Sequence, residues 1–264
     1  MQPANPERPA QIKQPRIAEI IADALRQKIL SGELEDGGML PKQDELENEY
    51  AVSPPSIREA LRILETEGLL TVQRGKIGGA VVHRPRPKKA AYMLALVMQS
   101  RSIDLQDLVD AMRQLEPACA AACADRKDRH QTVLPKLRAV LDLANEFIED
   151  AHTFIGLARQ FHIEIVAHCG NETMSIVVGA LEQIWSAQVD LLGRSQSQHG
   201  SFANLATRKA LAREHEEIYN LISDGDSRGV EEALRKHYSS TAETGERRHE
   251  FSLDSIVNAS TISK

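Results

Sequence analysis

Between residues 17 and 30 the apolar positions Ile17, Ile20, Ile21, Ala24, Leu25, Ile29 and Leu30 recur three and four apart, and Ser31-Gly32 ends the run. That is the period of one helical face with its stop signal. A second short stretch, Lys42 to Tyr50, turns Leu46 and Tyr50 to one side. The third, VSPPSIREALRILETEGLL over residues 52–70, sets Ile57, Ala60, Leu61 and Leu64 at the same spacing behind two adjacent prolines. Proline is harmless in the first turn of a helix, where the backbone N–H has no partner to lose, so Pro54 and Pro55 start a helix rather than break one. Ser53 is then the expected N-cap and Gly68 the stop. Beyond Gly68 the pattern becomes two β-like runs, LLTVQ and AVVH, joined by RGKIGG, whose Gly75, Gly78 and Gly79 suit a hairpin tip. Three small helices and a glycine-tipped hairpin predict a winged helix-turn-helix over residues 14–83.

The segment before it, residues 1–13, is rich in proline and polar groups and reads as a disordered arm. After it, RPRPKKA breaks the periodicity with two prolines and four cations, which places a linker at 84–94. From Ser102 to about Glu246 the pattern is helical throughout, interrupted near residues 126–130, 150–152, 169–171, 194–204 and 224–227. Five or six amphipathic helices and no strand are expected over 95–247, followed by a C-terminal tail at 248–264. The fold class is therefore mainly α: a winged helix-turn-helix and then an all-α bundle, two domains in 264 residues. A bundle of this size leaves room for a pocket between its helices.

Composition changes this picture little. Aromatic residues are 4% of the chain, with Trp185 the single tryptophan, which fits packed helices. Cys119, Cys123 and Cys169 lie in apolar helical sequence and read as small buried hydrophobes in a reducing compartment. With no signal pattern and no apolar run of membrane-spanning length, a cytoplasmic protein without membrane attachment is expected.

Charge matters more. The net charge of −6 is unevenly spread: residues 1–89 hold 14 cations against 13 acids, residues 90–264 hold 18 against 25, and residues 54–89 hold 8 against 3. A local cationic excess on a helix-turn-helix is the footprint of a phosphate backbone. In this motif the second helix of the pair enters the major groove, with its N-terminal residues at phosphates and base edges. The candidate contacts to a double-stranded DNA operator are therefore Ser53, Ser56, Arg58 and Arg62 on that helix, Lys42 at the start of the helix before it, and Arg74, Gly75 and Lys76 at the hairpin tip. The plainer alternative is a solvated face whose cations pair with Glu59 and Glu65. Helix order, wing glycines and charge location agree on DNA binding.

The run LPKQDELENEYAVSPPSIREALRILETEGLLTVQRGKIGGAVV resembles the DNA-binding domain of the GntR family of bacterial transcription regulators. The resemblance is carried by Leu40-Pro41, Glu45-Leu46, Val52-Ser53, Ile57 to Leu61, Leu64 and Glu67-Gly68-Leu69. Members commonly have arginines that contact DNA where Asp44 and Pro54 stand here. Their loss implies an operator unlike the usual family sequence, read instead through Ser56, Arg58 and Arg74.

The second half resembles the FCD effector domain of the FadR subfamily, on LVDAMRQLEPACAAACADR (108–126), FHIEIVAHCGNE (161–172) and AREHEEIYNLISDGDSRGVEEALRKH (212–237). Many members hold a divalent metal with one aspartate and three histidines. The resemblance carries the histidines to His162, His215 and His237 and the aspartate to Ala158, so the anionic ligand is missing. Buried neutral imidazoles are costly without a partner, and Zn²⁺ or Ni²⁺ would be a natural one; the alternative is three polar groups lining a metal-free pocket. Arg113 either pairs with Glu116 or awaits a ligand carboxylate, its planar fork suiting both. Asn171 reads first as a helix cap and second as an effector contact. Met112 and Trp185 are either core or pocket lining.

The resemblance implies a homodimeric, ligand-responsive transcription regulator, in the repressor sense, of a catabolic operon. Its effector would be a small organic acid or, as in some members without metal, a fatty-acyl or related coenzyme A thioester. A metal-dependent hydrolase is disfavoured: there is no HExxH motif and no glutamate placed as general base, and an enzyme has little use for a winged domain. An architectural DNA binder would have no use for the second domain.

Overall fold

The structure, a computed structural model, describes residues 16–73, 79–85, 87–196, 204–243 and 255–262. The expected arm and the hairpin-tip residues Arg74, Gly75 and Lys76 lie outside them. The chain divides into two compact units, Met1–Arg86 and Pro87–Lys264. No helix among the described residues is long and apolar enough to cross a membrane.

The first unit contains α1 (Ile17–Ser31), α2 (Gln43–Tyr50) and α3 (Pro54–Thr66), then β1 (Leu70–Gln73) paired antiparallel with β2 (Gly79–Val82). Its core joins Ile21, Leu25 and Ile29 of α1 to Leu46, Ile57, Leu64, Leu70 and Val82. The face that α1 buries is rotated from the predicted stripe: Ile17, Ile20 and Leu30 are exposed, whereas Ala18 and Ala22 are buried. Small residues sit where α1 approaches α3 closely, and a reading weighted by bulk passes over them. Gly32 ends α1 at φ +87°, a left-handed conformation that side chains rarely adopt.

Both prolines occupy the first turn of α3, as the sequence predicts, and Ser53 stands at the N-cap position. Its hydroxyl makes no cap hydrogen bond; Ser53 Oγ instead lies 3.3 Å from Ser56 Oγ. The reason is local. Pro54 and Pro55 have no N–H to offer, and the N–H of Ser56 already donates to the Ser53 carbonyl at 3.0 Å.

The second unit contains α4 (Pro87–Ser100), α5 (Leu105–Asp125), α6 (Arg129–Thr132), α7 (Leu134–Glu146), α8 (Ala151–Ala167), α9 (Glu172–Gln196), α10 (Leu205–Asp224), α11 (Ser227–Glu243) and a 3-10 turn at Ala259–Thr261. Two features differ from expectation. The expected linker is helical from Pro87 onward, because proline fits a first helical turn and Ala91, Ala95 and Met98 supply a buried face. The expected C-terminal tail is, over residues 255–262, part of the fold. Val257 donates its N–H to the Ile103 carbonyl and Leu105 donates to Ser255, each at 3.0 Å. Val257, Ala259 and Ile262 are buried with Ala91 and Ala95 of α4 and with Ala180, Leu181 and Ile184 of α9. The Gln188 side-chain amide donates to the Asn258 carbonyl and to Thr261. Further along, Pro135 in the first turn of α7 explains why α6 and α7 are separate helices.

A chain ending at residue 254 leaves the apolar partners of Val257, Ala259 and Ile262 in water. It is expected to melt more than about 4 °C below the full chain, since each lost kcal/mol lowers the midpoint of a domain this size by about 2–4 °C. An unchanged melting curve by circular dichroism would show that the segment contributes nothing to the unit.

Candidate functional site

On the first unit, Lys42, Ser53, Arg58 and Arg62 are exposed and Ser56 is half-buried. Two nearby acids have partners of their own. Glu65 accepts the N–H of Val72 in β1 at 3.0 Å, and Glu67 takes the Arg26 guanidinium in two bonds of 2.8 and 2.7 Å. Among the described residues neither Arg58 nor Arg62 has an ion-pair partner. The two cations stand one turn apart on a solvent-facing strip of a helix whose N-terminus is fixed by prolines, the arrangement that phosphate and base-edge contacts need.

In the second unit, three helices each contribute one histidine to a common point: His162 from α8, His215 from α10 and His237 from α11. One ligand atom from each lies within 4.8 Å of the other two. The ring centroids are 5.0–5.1 Å apart, and His215 also stacks on Phe161 at 4.6 Å. His215 and His237 are buried. Carboxylates hold two of the rings from behind: His162 Nδ1 lies 2.6 Å from Glu116 Oε1, and His237 Nδ1 lies 2.7 Å from Glu214 Oε2. An imidazole that donates its Nδ1 proton backward keeps the Nε2 lone pair for the centre, the tautomer a metal requires.

Glu116 is the hub of this arrangement. It is fully buried on α5, takes His162 on one oxygen and accepts the Tyr238 hydroxyl on the other. Burial alone would push its carboxyl up; His162 and the hydrogen bonds from His162, Tyr238 and Glu182 outweigh that and hold it below the usual range. Glu182, buried beside it on α9, moves the opposite way. Burial and the neighbouring Glu116 charge push it well above the usual range against a smaller pull from Arg159, so it keeps its proton and shares it with Glu116.

The donor set fits a divalent ion. Three imidazoles are borderline-soft ligands suited to Zn²⁺ or Ni²⁺, and two are already oriented by second carboxylates. Ala158 stands one turn before His162, buried against Ala144, Phe154 and Leu211, so no anionic protein ligand adjoins the triad there. The balancing charges lie one bond further out, on Glu116 and Glu214.

Other predicted residues fall out differently. Arg113 does not pair with Glu116, whose oxygens are taken by His162 and Tyr238; it lies 3.6 Å from Asp110, and its Nε is buried without a hydrogen-bond partner. Pro117 explains part of its setting, because a proline inside α5 has no N–H to give the carbonyl of residue 113. Asn171 is exposed and caps α9, its Oδ1 accepting the Met174 N–H at 3.1 Å. Met112 and Trp185 pack in the core cluster of α4, α5 and α9. The sequence pattern had not singled out Glu182, Arg159, Glu214 or Tyr238. One signal was there to find: Glu182 sits in an apolar stripe between Val178, Leu181, Ile184 and Trp185, where an acid needs a reason.

A proline-started second helix with two exposed cations on one unit, and a three-histidine cluster in a helical bundle on the other, fit the class of winged-helix transcription regulators with a helical second domain. Comparison with known proteins agrees. Residues 17–81 match the family described as "Bacterial regulatory proteins, gntR family", and residues 107–240 match the FCD domain. The chain belongs to the GntR family of bacterial transcription regulators, of the type that carries an FCD domain, and is not an enzyme. It is 26% identical to the HTH-type transcriptional repressor NanR of Klebsiella aerogenes over 87% of this chain and 85% of that protein. It is 23% identical to the HTH-type transcriptional regulator LutR of Bacillus subtilis over 79% of this chain and 92% of that one. The solved structure of a Streptococcus agalactiae GntR protein shares the fold, with a TM-score of 0.61 at 22% identity over 86% of this chain and 100% of that chain.

Glu182 carries a stability signature. Its raised carboxyl holds a proton in the fold that the unfolded chain has released above its ordinary value of about 4.3, so this group makes stability fall as pH rises from there toward the folded value. Glu182→Gln keeps a donor for Glu116 and removes the titration. It is expected to be at least as stable as the parent at pH 8 and to show a flatter dependence of stability on pH between about 5 and 8 in denaturant melts; a steeper slope would contradict the shared proton.

Proposed function

We propose that the chain is a homodimeric repressor of a catabolic operon. It binds a two-fold-symmetric operator through α3 and is governed by a small carboxylate metabolite sensed at the His162–His215–His237 cluster. The observation that carries the reading is the convergence of three imidazoles, two of them held by carboxylates, inside the sensor domain of a transcription regulator. A divalent ion there, Zn²⁺ or Ni²⁺, would supply Lewis-acidic positions for a ligand carboxylate. His162, His215 and His237 would hold it, Glu116 and Glu214 would fix the rings, and Arg113 would meet the carboxylate from α5. A ligand that binds one sensor state better than another shifts operator affinity by that difference.

On the operator, Lys42, Ser53 and Arg62 are assigned to the backbone and Ser56 and Arg58 to base edges, with Arg74, Gly75 and Lys76 at the hairpin tip completing the set. The names of the relatives NanR, a transcriptional repressor, and LutR, a transcriptional regulator, support this direction of control.

Gel-shift titration of the full chain on promoter fragments near its own gene tests this, with and without small organic acids. The parent is expected to bind one fragment in a salt-sensitive way and to release it when its acid is added. Arg58→Ala is expected to cost about 1–3 kcal/mol in operator affinity and to relax preference at one base pair. Parent affinity in that variant at physiological salt would remove Arg58 from the groove.

A further inference from the structure

At the start of α3 the chain lacks what a helix N-terminus ordinarily offers to DNA. The first turn of a helix presents free N–H groups that hold phosphate oxygens. Here Pro54 and Pro55 fill the first two positions and have no N–H, and the N–H of Ser56 already donates to the Ser53 carbonyl at 3.0 Å. The two hydroxyls at this end, Ser53 Oγ and Ser56 Oγ, lie 3.3 Å apart and bond each other.

What faces solvent beside them is hydrocarbon, for both proline rings are exposed. Helical geometry fixes where they stand. Pro54 lies four residues and Pro55 three residues before Arg58, and the same strip continues to Arg62, so the rings flank the row of exposed arginines. The opposite face is core, where Ile57, Ala60 and Leu64 are buried. A duplex that Arg58 and Arg62 engage therefore meets the prolines as well. Glu59, exposed one turn after Pro55, would repel a phosphate set against that ring, which leaves a base edge as its neighbour.

The major groove offers one apolar feature, the C5 methyl group of thymine; the other groups on the base edges donate or accept hydrogen bonds. A proline ring laid on a donor or acceptor strips its water and returns no bond. Laid on a methyl group, it gains the buried apolar area.

We propose that Pro54 and Pro55 are specificity residues that read a thymine methyl group in each operator half-site, close to the base that Arg58 reads. The inference rests on the operator binding by α3 proposed above and names one of the bases. One helical turn advances about 5.4 Å and successive base pairs about 3.4 Å, so the thymine lies within about two base pairs of the pair that Arg58 contacts. The rings have no side-chain freedom to lose on binding, unlike a long polar side chain.

The test changes the DNA before the protein. The full-length protein selects its best duplex from a random-sequence pool, and each thymine of that duplex is replaced in turn by deoxyuridine, which removes the methyl group and keeps every hydrogen-bonding atom. Fluorescence anisotropy reads the affinities. Close to the pair whose preference Arg58→Ala relaxes, one uracil swap is expected to weaken parent binding about threefold or more, the worth of one buried methyl group. In the double variant Pro54→Ser/Pro55→Ser that penalty is expected to vanish, while swaps elsewhere cost the variant what they cost the parent. If no uracil swap near the Arg58 position weakens the parent, the proposal is overturned whether or not any variant folds. A penalty that persists undiminished in the folded double variant overturns it too, because another residue then reads the methyl group; in both cases the operator reading stands. A parent protein that selects no sequence at all removes that reading, and the inference with it.

Discussion

A buried carboxylate cannot stay ionised in a helical bundle unless several donors meet it, and Glu116 shows how this domain solves that problem. His162 on α8, Tyr238 on α11 and Glu182 on α9 all converge on it from α5. One charge thereby ties together four helices. Removing a partner from such a buried pair usually costs about 3–5 kcal/mol, because the remaining charge is left stranded. The same bond sets the tautomer of His162 and turns its free nitrogen toward His215 and His237. The bundle's polar junction and its histidine cluster are thus one network.

On the proposed metal reading, this network stands in for the aspartate that the resemblance would place at Ala158. Ala158 is part of an apolar cluster with Phe154 and Leu211, so that position has become core. The charge that a divalent ion would need is held by Glu116 and Glu214 behind the rings. A three-nitrogen site with its carboxylates one bond removed keeps more positions open to a ligand than one saturated by protein oxygen. It also leaves the ligand, rather than the protein, to bring the neighbouring anion.

The sequence made much of this legible, for reasons that differ by element. The period of α3, the paired prolines and the wing glycines specify a helix-turn-helix locally, since each feature constrains only its own turn of backbone. The three histidines were visible as a set because the motifs that carry them resemble those of a known domain. The partners behind them were less visible. Glu214 and Tyr238 adjoin histidines in the chain, and Glu182 and Glu116 lie far apart in sequence and meet only through antiparallel packing of α5 and α9. The docked segment at 255–262 was hidden for the same reason: Val257, Ala259 and Ile262 are too few to form a periodic pattern, and their burial depends on a surface made by α4 and α9. The burial of α1 was misplaced by weight of side chain, as Ala18 and Ala22 took the contact that Ile17 and Ile20 appeared to offer by bulk.

The central claim is that three imidazoles steered by Glu116 and Glu214 constitute a divalent-metal site. Elemental analysis of the full-length protein, purified without chelators, tests it most directly. The account predicts about one Zn²⁺ or Ni²⁺ per chain in the parent and none in His215→Ala, with both variants folded by circular dichroism. A parent protein that carries no divalent ion and takes up none from micromolar zinc would contradict it.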